Sequence, residues 1–186
     1  MMPKHILITG AVGFIGFHAS QYFLKLGYNV LGIDNINDYY DPILKNQRLT
    51  ILQKNNNFSF LKINLEERST LDNALTDFQP QVILHLAAQA GVRYSIENPI
   101  SYLDSNIIGT FNLLQSMKKL GKNCKLLFAS SSSIYGNNPK IPFSESDKSD
   151  AQLSLYAASK KMNESLAHAF AYETKIPVIG LRFFTV

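Results

Sequence analysis

The chain has a single cysteine, Cys124, so no disulfide can close within it. A lone cysteine reads as a small core or edge residue rather than a reactive thiol. Long apolar runs are also missing. Those at residues 82–86 and 125–129 fall far short of the ~20 residues that a helix needs to cross a bilayer, so no membrane partner is expected. Met1-Met2-Pro3-Lys4 leads straight into a strand-like run, without the apolar region and cleavage site of a signal peptide. A cytoplasmic location is the default expectation. There is no basic stripe: the net charge is +4, and the only adjacent basic pairs are Lys118-Lys119 and Lys160-Lys161. That pattern argues against nucleic acid and suits an anionic small ligand. His5, His18 and His168 show no metal-ligand spacing among themselves or with Cys124, so no metal site is expected. There is no internal repeat and no low-complexity tract.

With 46% hydrophobic and 17% charged residues, the composition is ordinary for a globular domain. A chain of this length buries roughly 70% of its unfolded surface. One domain over residues 1–186 is expected. Short apolar runs at residues 5–9, 29–33, 58–63, 82–86, 125–129 and 178–181 read as strands. Between them, residues 14–26, 42–54, 66–78, 99–120 and 153–173 read as helices, the first and fourth ended by Gly27 and Gly121. This alternation predicts an α/β fold: a doubly wound parallel sheet in the order 3-2-1-4-5-6 with helices on both faces. Arg182-Phe183-Phe184-Thr185-Val186 runs off the sixth strand with no closing helix, so the sequence reads as the front portion of a larger protein whose substrate domain is absent.

Gly10-Ala11-Val12-Gly13-Phe14-Ile15-Gly16 follows the first strand and opens the first helix. Gly10 permits a tight turn, Gly13 allows a pyrophosphate to approach backbone N–H groups, and Gly16 lets helix and strand pack closely. The helix N-terminus adds positive potential for phosphates. Asp34 ends the second strand, 24 residues after Gly10, where a carboxylate accepts from ribose hydroxyls and repels a 2′-phosphate. The cofactor expected is NAD. Asn64 leaves the third strand at an adenine-contacting position, or is simply a loop residue. Leu86-Ala87-Ala88-Gln89 follows the fourth strand, where small residues let backbone approach a cofactor. Phe14, Ile15, Asn35, Asn37, Leu65 and Asn106 are further cofactor-lining candidates. His85 reads as a satisfied core histidine.

Tyr156-Ala157-Ala158-Ser159-Lys160 puts a phenol and an ammonium one helical turn apart on the same face. A tyrosine base needs its pKa lowered from about 10. One positive charge ~4 Å away, at an effective dielectric of ~20, is worth about 4 kcal/mol, roughly three pKa units, with desolvation opposing it. Ser130-Ser131-Ser132-Ser133 stands just after the fifth strand, at the ligand-binding edge of such a sheet. A surface Tyr/Lys pair and a polar loop are the plainer alternatives.

In this order, the glycine turn, Asp34, Leu-Ala-Ala, the serine run ending Ile134-Tyr135-Gly136, and Tyr-x-x-x-Lys resemble the extended short-chain dehydrogenase/reductase family of NAD-dependent epimerases and dehydratases. Within it, residues 34–41, 90–99 and 181–186 look like those of the UDP-glucuronate 4-epimerases. The likeness covers essentially the whole chain. Asn64 departs from the family's usual Asp, and Gln152-Leu153 replaces a usual proline. The family continues well past Val186, including an arginine that meets the uronate carboxylate.

The resemblance implies 4-epimerisation of a UDP-sugar in polysaccharide biosynthesis. Tyr156 as phenolate takes the 4-hydroxyl proton, hydride passes between C4 and NAD, and a 4-keto sugar rotates before hydride returns. Ser131, four residues before Tyr135, matches the catalytic Ser/Thr. Lys160 holds the ribose. Gly91, Val92, Arg93, Ser131, Ser132, Tyr156 and Thr185 become substrate-binding candidates. The resemblance also implies a homodimer formed by the two long helices. Epimerisation of UDP-glucose or a UDP-N-acetylhexosamine, a 4,6-dehydratase, and a truncated inactive dinucleotide-binding module stay open. The dehydratase is disfavoured because Ser132 and Ser133 stand where its acid pair would follow the catalytic hydroxyl.

Overall fold

A computed structural model describes residues 4–185. Its strands are β1 (His5–Thr9), β2 (Asn29–Asp34), β3 (Phe58–Lys62), β4 (Val82–His85), β5 (Lys125–Ser131) and β6 (Val178–Phe183). All neighbouring pairs are parallel, in the order β3-β2-β1-β4-β5-β6, as the alternating pattern predicts. The helices are α1 (Phe14–Lys25), α2 (Pro42–Leu52), α3 (Arg68–Phe78), the short α4 (Tyr94–Glu97) and α5 (Pro99–Tyr102), α6 (Gly109–Met117) and α7 (Leu155–Thr174).

Successive strand side chains point to opposite faces, so the sheet carries two cores. Ile6, Ile8 and Val30 face one layer, where Phe17 and Leu24 of α1 and Leu52 of α2 close over them. Leu7, Leu31, Ile33, Ile83 and Leu126 face the other, against Leu71 of α3, Leu113 of α6 and Phe170 of α7. Central strands buried on both faces read as continuous apolar runs, which is why the sequence shows them as short unbroken blocks.

Helix starts follow local capping chemistry. Asp41 accepts from the Ile43 N–H at 2.8 Å, with Pro42 at the first helical position, where its missing N–H costs nothing. Ser154 caps α7 by accepting from the Ala157 N–H at 3.1 Å. The expected helix over 153–173 therefore starts two residues later, because Leu153 and Ser154 lie outside it.

The helix expected over 99–120 runs without a break to Met117, but it is not one uniform α-helix. It is divided into α5, a π-helical segment Leu103–Ile108 and α6, and Lys119 and Leu120 close it with i→i+3 bonds. The wider π turn carries Asn106, which is fully buried and bonded to two other parts of the chain. Helical periodicity in the sequence cannot show an inserted π turn, because it is these long-range bonds that hold it.

Candidate active site

Parallel strands present their C-terminal ends along one edge, and the candidate residues gather there. The Gly10 N–H extends the β1–β2 ladder by donating to the Ile33 carbonyl at 2.7 Å, and the Gly13 N–H closes the turn between β1 and α1 by donating to the Gly10 carbonyl at 3.1 Å. Gly10 has φ +69°, and a Cβ on it would lie 2.8 Å from the Ala87 nitrogen. A Cβ on Gly16 would collide with the Gly10 carbonyl oxygen, so a side chain there would push α1 off the strand. Asp34 is buried at the end of β2. Its carboxylate accepts from the Ile36 N–H at 2.9 Å and the Val12 N–H at 3.3 Å. It thus ties the glycine turn to the loop after β2. Lys45 braces that loop by donating to the Asn37 carbonyl at 2.8 Å and to Asn37 Oδ1 at 2.6 Å. Burial lowers the Lys45 pKa, against the opposing charges of Asp34 and Asp38.

A cavity of about 750 Å³ runs along this edge. Among the expected residues, Gly10, Gly13, Phe14, Ile15, Gly16, Asp34, Asn35, Asn37, Leu65, Leu86, Ala87, Ala88 and Gln89 line it. So do Gly91, Ser131, Ser132, Tyr156, Lys160 and Thr185. Four candidates stand elsewhere. Asn64 is exposed, accepting from Asn35 Nδ2 at 3.2 Å and donating to Glu67 Oε1 at 2.9 Å. Asn106 lies behind the wall: its Oδ1 accepts from the Gln89 N–H at 2.7 Å, and its Nδ2 donates to the Gln89 carbonyl at 3.0 Å. Val92 and Arg93 are exposed at the approach to α4 and do not line the cavity.

At the other end, Ser131 closes β5, and its Oγ accepts from the Ser133 N–H at 3.1 Å, starting a 3-10 turn. Lys160 is buried on α7 and donates to the Ala129 carbonyl at 2.9 Å. Burial pulls its pKa down to about 8. Tyr156, one turn earlier, is half-buried, with its ring 6.2 Å from that of Tyr102 and nearly perpendicular to it. Tyr102 is itself held by donation to the Ala90 carbonyl at 2.6 Å.

A second polar cluster braces this end. Glu164 accepts from Ser130 Oγ at 2.6 Å and from both Arg182 Nε and a terminal Arg182 nitrogen at 3.0 Å. Arg182 also donates to the Tyr135 hydroxyl at 2.9 Å. Burial pushes the Glu164 pKa up, but the Arg182 and Ser130 hydrogen bonds outweigh it and hold the carboxyl below its ordinary value. Sequence reasoning missed this cluster, and it missed Tyr39, Lys45 and Arg48, which also line the cavity. Lys45 and Arg48 stand three apart on α2, a spacing that puts both on one helix face and was a usable signal. Nothing local marked Glu164, which lies 18 residues before Arg182.

The family model for GDP-mannose 4,6 dehydratase matches residues 7–186. The chain is 49% identical over 180 residues to a probable UDP-glucuronate 4-epimerase of Rhizobium meliloti, covering 97% of this chain and 52% of that one. It superposes on a Bacillus cereus UDP-glucuronic acid 4-epimerase, solved with UDP-glucuronic acid and NAD, with a TM-score of 0.90 at 34% identity, covering 98% of this chain and 57% of that one. A UDP-glucose 4-epimerase of Thermotoga maritima, solved with UDP-glucose, gives a TM-score of 0.84 at 31% identity, covering 96% and 55%. The chain spans about half the length of the curated relatives it matches. With this strand order, this glycine turn and a family match over nearly its whole length, the chain belongs to the GDP-mannose 4,6 dehydratase family of Rossmann-fold proteins, the nucleotide-sugar epimerases and dehydratases that its motifs resemble.

Proposed function

We propose that the whole protein is an NAD-dependent 4-epimerase that interconverts UDP-glucuronate and UDP-galacturonate through a transient 4-keto sugar. One observation carries this reading: Ser131, Tyr156 and Lys160 line the same cavity as the glycine turn and Asp34. Residues 1–186 are its proposed NAD-binding domain.

The residues fit a dinucleotide. The cavity falls within the usual ~300–1,000 Å³ of ligand pockets. Gly13 leaves room at the α1 N-terminus, where Phe14 and Ile15 also line the wall, and that helix end suits pyrophosphate. Asp34, with Asn35 and Asn37, takes the adenosine ribose, and Asn64 and Leu65 the adenine side. Leu86, Ala87, Ala88 and Gln89 form the central wall, braced by Asn106. NAD, when bound, supplies a hydride acceptor for the sugar C4 and gives the hydride back. Tyr156 removes the 4-hydroxyl proton and returns it. Ser131 donates to the 4-oxygen. Lys160 holds the ribose, and its charge favours the phenolate. Gly91, Ser132 and Thr185 meet the sugar from the cavity wall, and Val92 and Arg93 approach it from outside the wall, before α4.

A second reading is epimerisation of a neutral UDP-hexose, favoured by the likeness to the Thermotoga maritima enzyme. Chromatography of UDP-sugars after incubation decides between the two. The first reading expects UDP-galacturonate to form from UDP-glucuronate. Conversion of UDP-glucose alone supports the second, and no conversion of any UDP-hexose or UDP-uronate overturns both.

We also propose a homodimer, built by packing α5, α6 and α7 against a second copy, and a cytoplasmic site of action in polysaccharide biosynthesis. Ile100, Leu103, Ile108 and Phe111 on one stretch and Met162 on α7 are exposed apolar side chains that such packing would cover. Light scattering of the whole protein expects twice the protomer mass; a monomer at high concentration overturns the dimer. No helix among the described residues is long and apolar enough to cross a membrane.

A further inference from the structure

We propose that His85 is a positioning residue for the nicotinamide half of the cofactor, acting through Thr9 on the chain where it leaves β4. The inference rests on the NAD reading above. Neither His85 nor Thr9 lines the cavity, and both are buried.

The hydrogen bonds assign one tautomer. His85 Nδ1 is 2.7 Å from Thr9 Oγ1, and Nε2 is 2.9 Å from Thr110 Oγ1. The Thr9 hydroxyl also accepts from the Ala87 N–H at 3.1 Å and from the Leu86 N–H at 3.2 Å, the latter shared with the Thr9 carbonyl. A hydroxyl offers one proton and two lone pairs. Both lone pairs are taken by the backbone, so the proton goes to Nδ1. The ring's own proton is then on Nε2 and goes to Thr110. A continuous relay thus runs from Thr110 on α6, through His85 and Thr9, to two backbone amides of the cavity wall. Protonating Nδ1 would break the relay. Burial, and then the charge of Lys160, hold the His85 pKa down at about 3, so the ring stays neutral.

The strand order gives the relay its purpose. The β4 exit lies between the β1 exit, with its glycine turn, and the β5 exit, with Ser131. Leu86 and Ala87 line the cavity there, and Ala87 approaches Gly10 so closely that no Cβ fits between them. An ADP moiety over the β1 and β2 exits does not need this passage. A nicotinamide ribose reaching Tyr156 does. A shift of the wall therefore affects one half of the dinucleotide and spares the other.

The test is titration calorimetry of the whole protein with NAD and, separately, with ADP. His85→Phe removes both ends of the relay. Thr9→Val removes only the hydroxyl at nearly constant shape, and Thr9→Ser keeps it. His85→Phe and Thr9→Val are expected to bind NAD on the order of tenfold more weakly, the scale of one buried amide left unsatisfied. Their ADP affinity should stay within about twofold of the wild type, and Thr9→Ser should keep wild-type affinity for both ligands. If His85→Phe does not fold, Thr9→Val decides. Unchanged NAD affinity in Thr9→Val, or equal weakening of NAD and ADP, overturns the positioning role. A wild-type protein that binds ADP and NAD equally well also overturns it, and one that binds neither overturns the NAD reading itself.

Discussion

Lys160 reaches across from α7 to the end of β5 and donates a hydrogen bond from its ammonium to the Ala129 carbonyl at 2.9 Å, two residues before Ser131. One bond therefore links the helix that bears Tyr156 to the strand that bears Ser131. Burial lowers the Lys160 pKa from 10.5 to about 8, and among the described residues no carboxylate pairs with the ammonium to offset that.

This has opposite consequences for rate and stability. Turnover that needs the Lys160 charge should fall as pH rises through about 8. Between about 8 and 10.5 the unfolded chain keeps this proton while the folded one loses it, so the stability contribution rises with pH over that window. The check is a pH–rate profile beside the difference in Tm between the wild type and Lys160→Met. A flat alkaline limb, or a Tm difference that does not move in favour of the wild type above pH 8, contradicts the assignment.

Asp34→Ala should weaken NAD and relax discrimination against NADP, because a carboxylate repels a 2′-phosphate. It also removes the acceptor for the Ile36 and Val12 N–H groups, so Asp34→Asn, which keeps an acceptor, should retain more stability. Calorimetry with both dinucleotides and thermal melts separate the two effects. A wild type that prefers NADP would count against the ribose role.

Tyr156→Phe should abolish turnover and leave NAD affinity nearly intact. A general acid–base group contributes about 10²–10⁴-fold in rate, and here the same phenol serves both proton transfers. Ser131→Ala should lower kcat less, although it also releases the Ser133 N–H that starts the 3-10 turn. Single-turnover kinetics with UDP-glucuronate measure both. Near-normal kcat in Tyr156→Phe would exclude it as the base.

Glu164→Ala should destabilise the fold by about 1–3 kcal/mol, the scale of losing charge-assisted hydrogen bonds in a partly buried ion pair. Arg182 would lose both contacts to the carboxylate, and Ser130 its acceptor. In the wild type, this pair's contribution is present above the ordinary glutamate pKa and is lost as pH falls through the lowered folded value. Chemical denaturation at neutral and at acid pH tests it. A variant as stable as the wild type at neutral pH would show that the pair contributes little.

Local pattern carried most of the site. Three glycines at fixed spacing, an Asp at a strand end and a Tyr four residues before a Lys are signals that a reader of the chain can place on turn, strand and helix. The expected strand order followed from alternation and right-handed crossovers. Asn64 and Asn106 show the limit. Neither lines the cavity: Asn64 bonds to Asn35 and Glu67, and Asn106 holds Gln89 from behind.

By itself the sequence determined the sheet, its glycine turn and the residue types at its C-terminal edge, because apolar periodicity and turn chemistry act over a few neighbouring residues. Only the tertiary structure decided the π turn at Leu103–Ile108, the Glu164–Arg182 brace and the His85 relay. Thr9 and His85 lie 76 residues apart in the chain and meet through one hydrogen bond between adjacent strands. Such a bond depends on register and on side-chain direction to within a few tenths of an ångström, and a pattern of residue types does not carry that information.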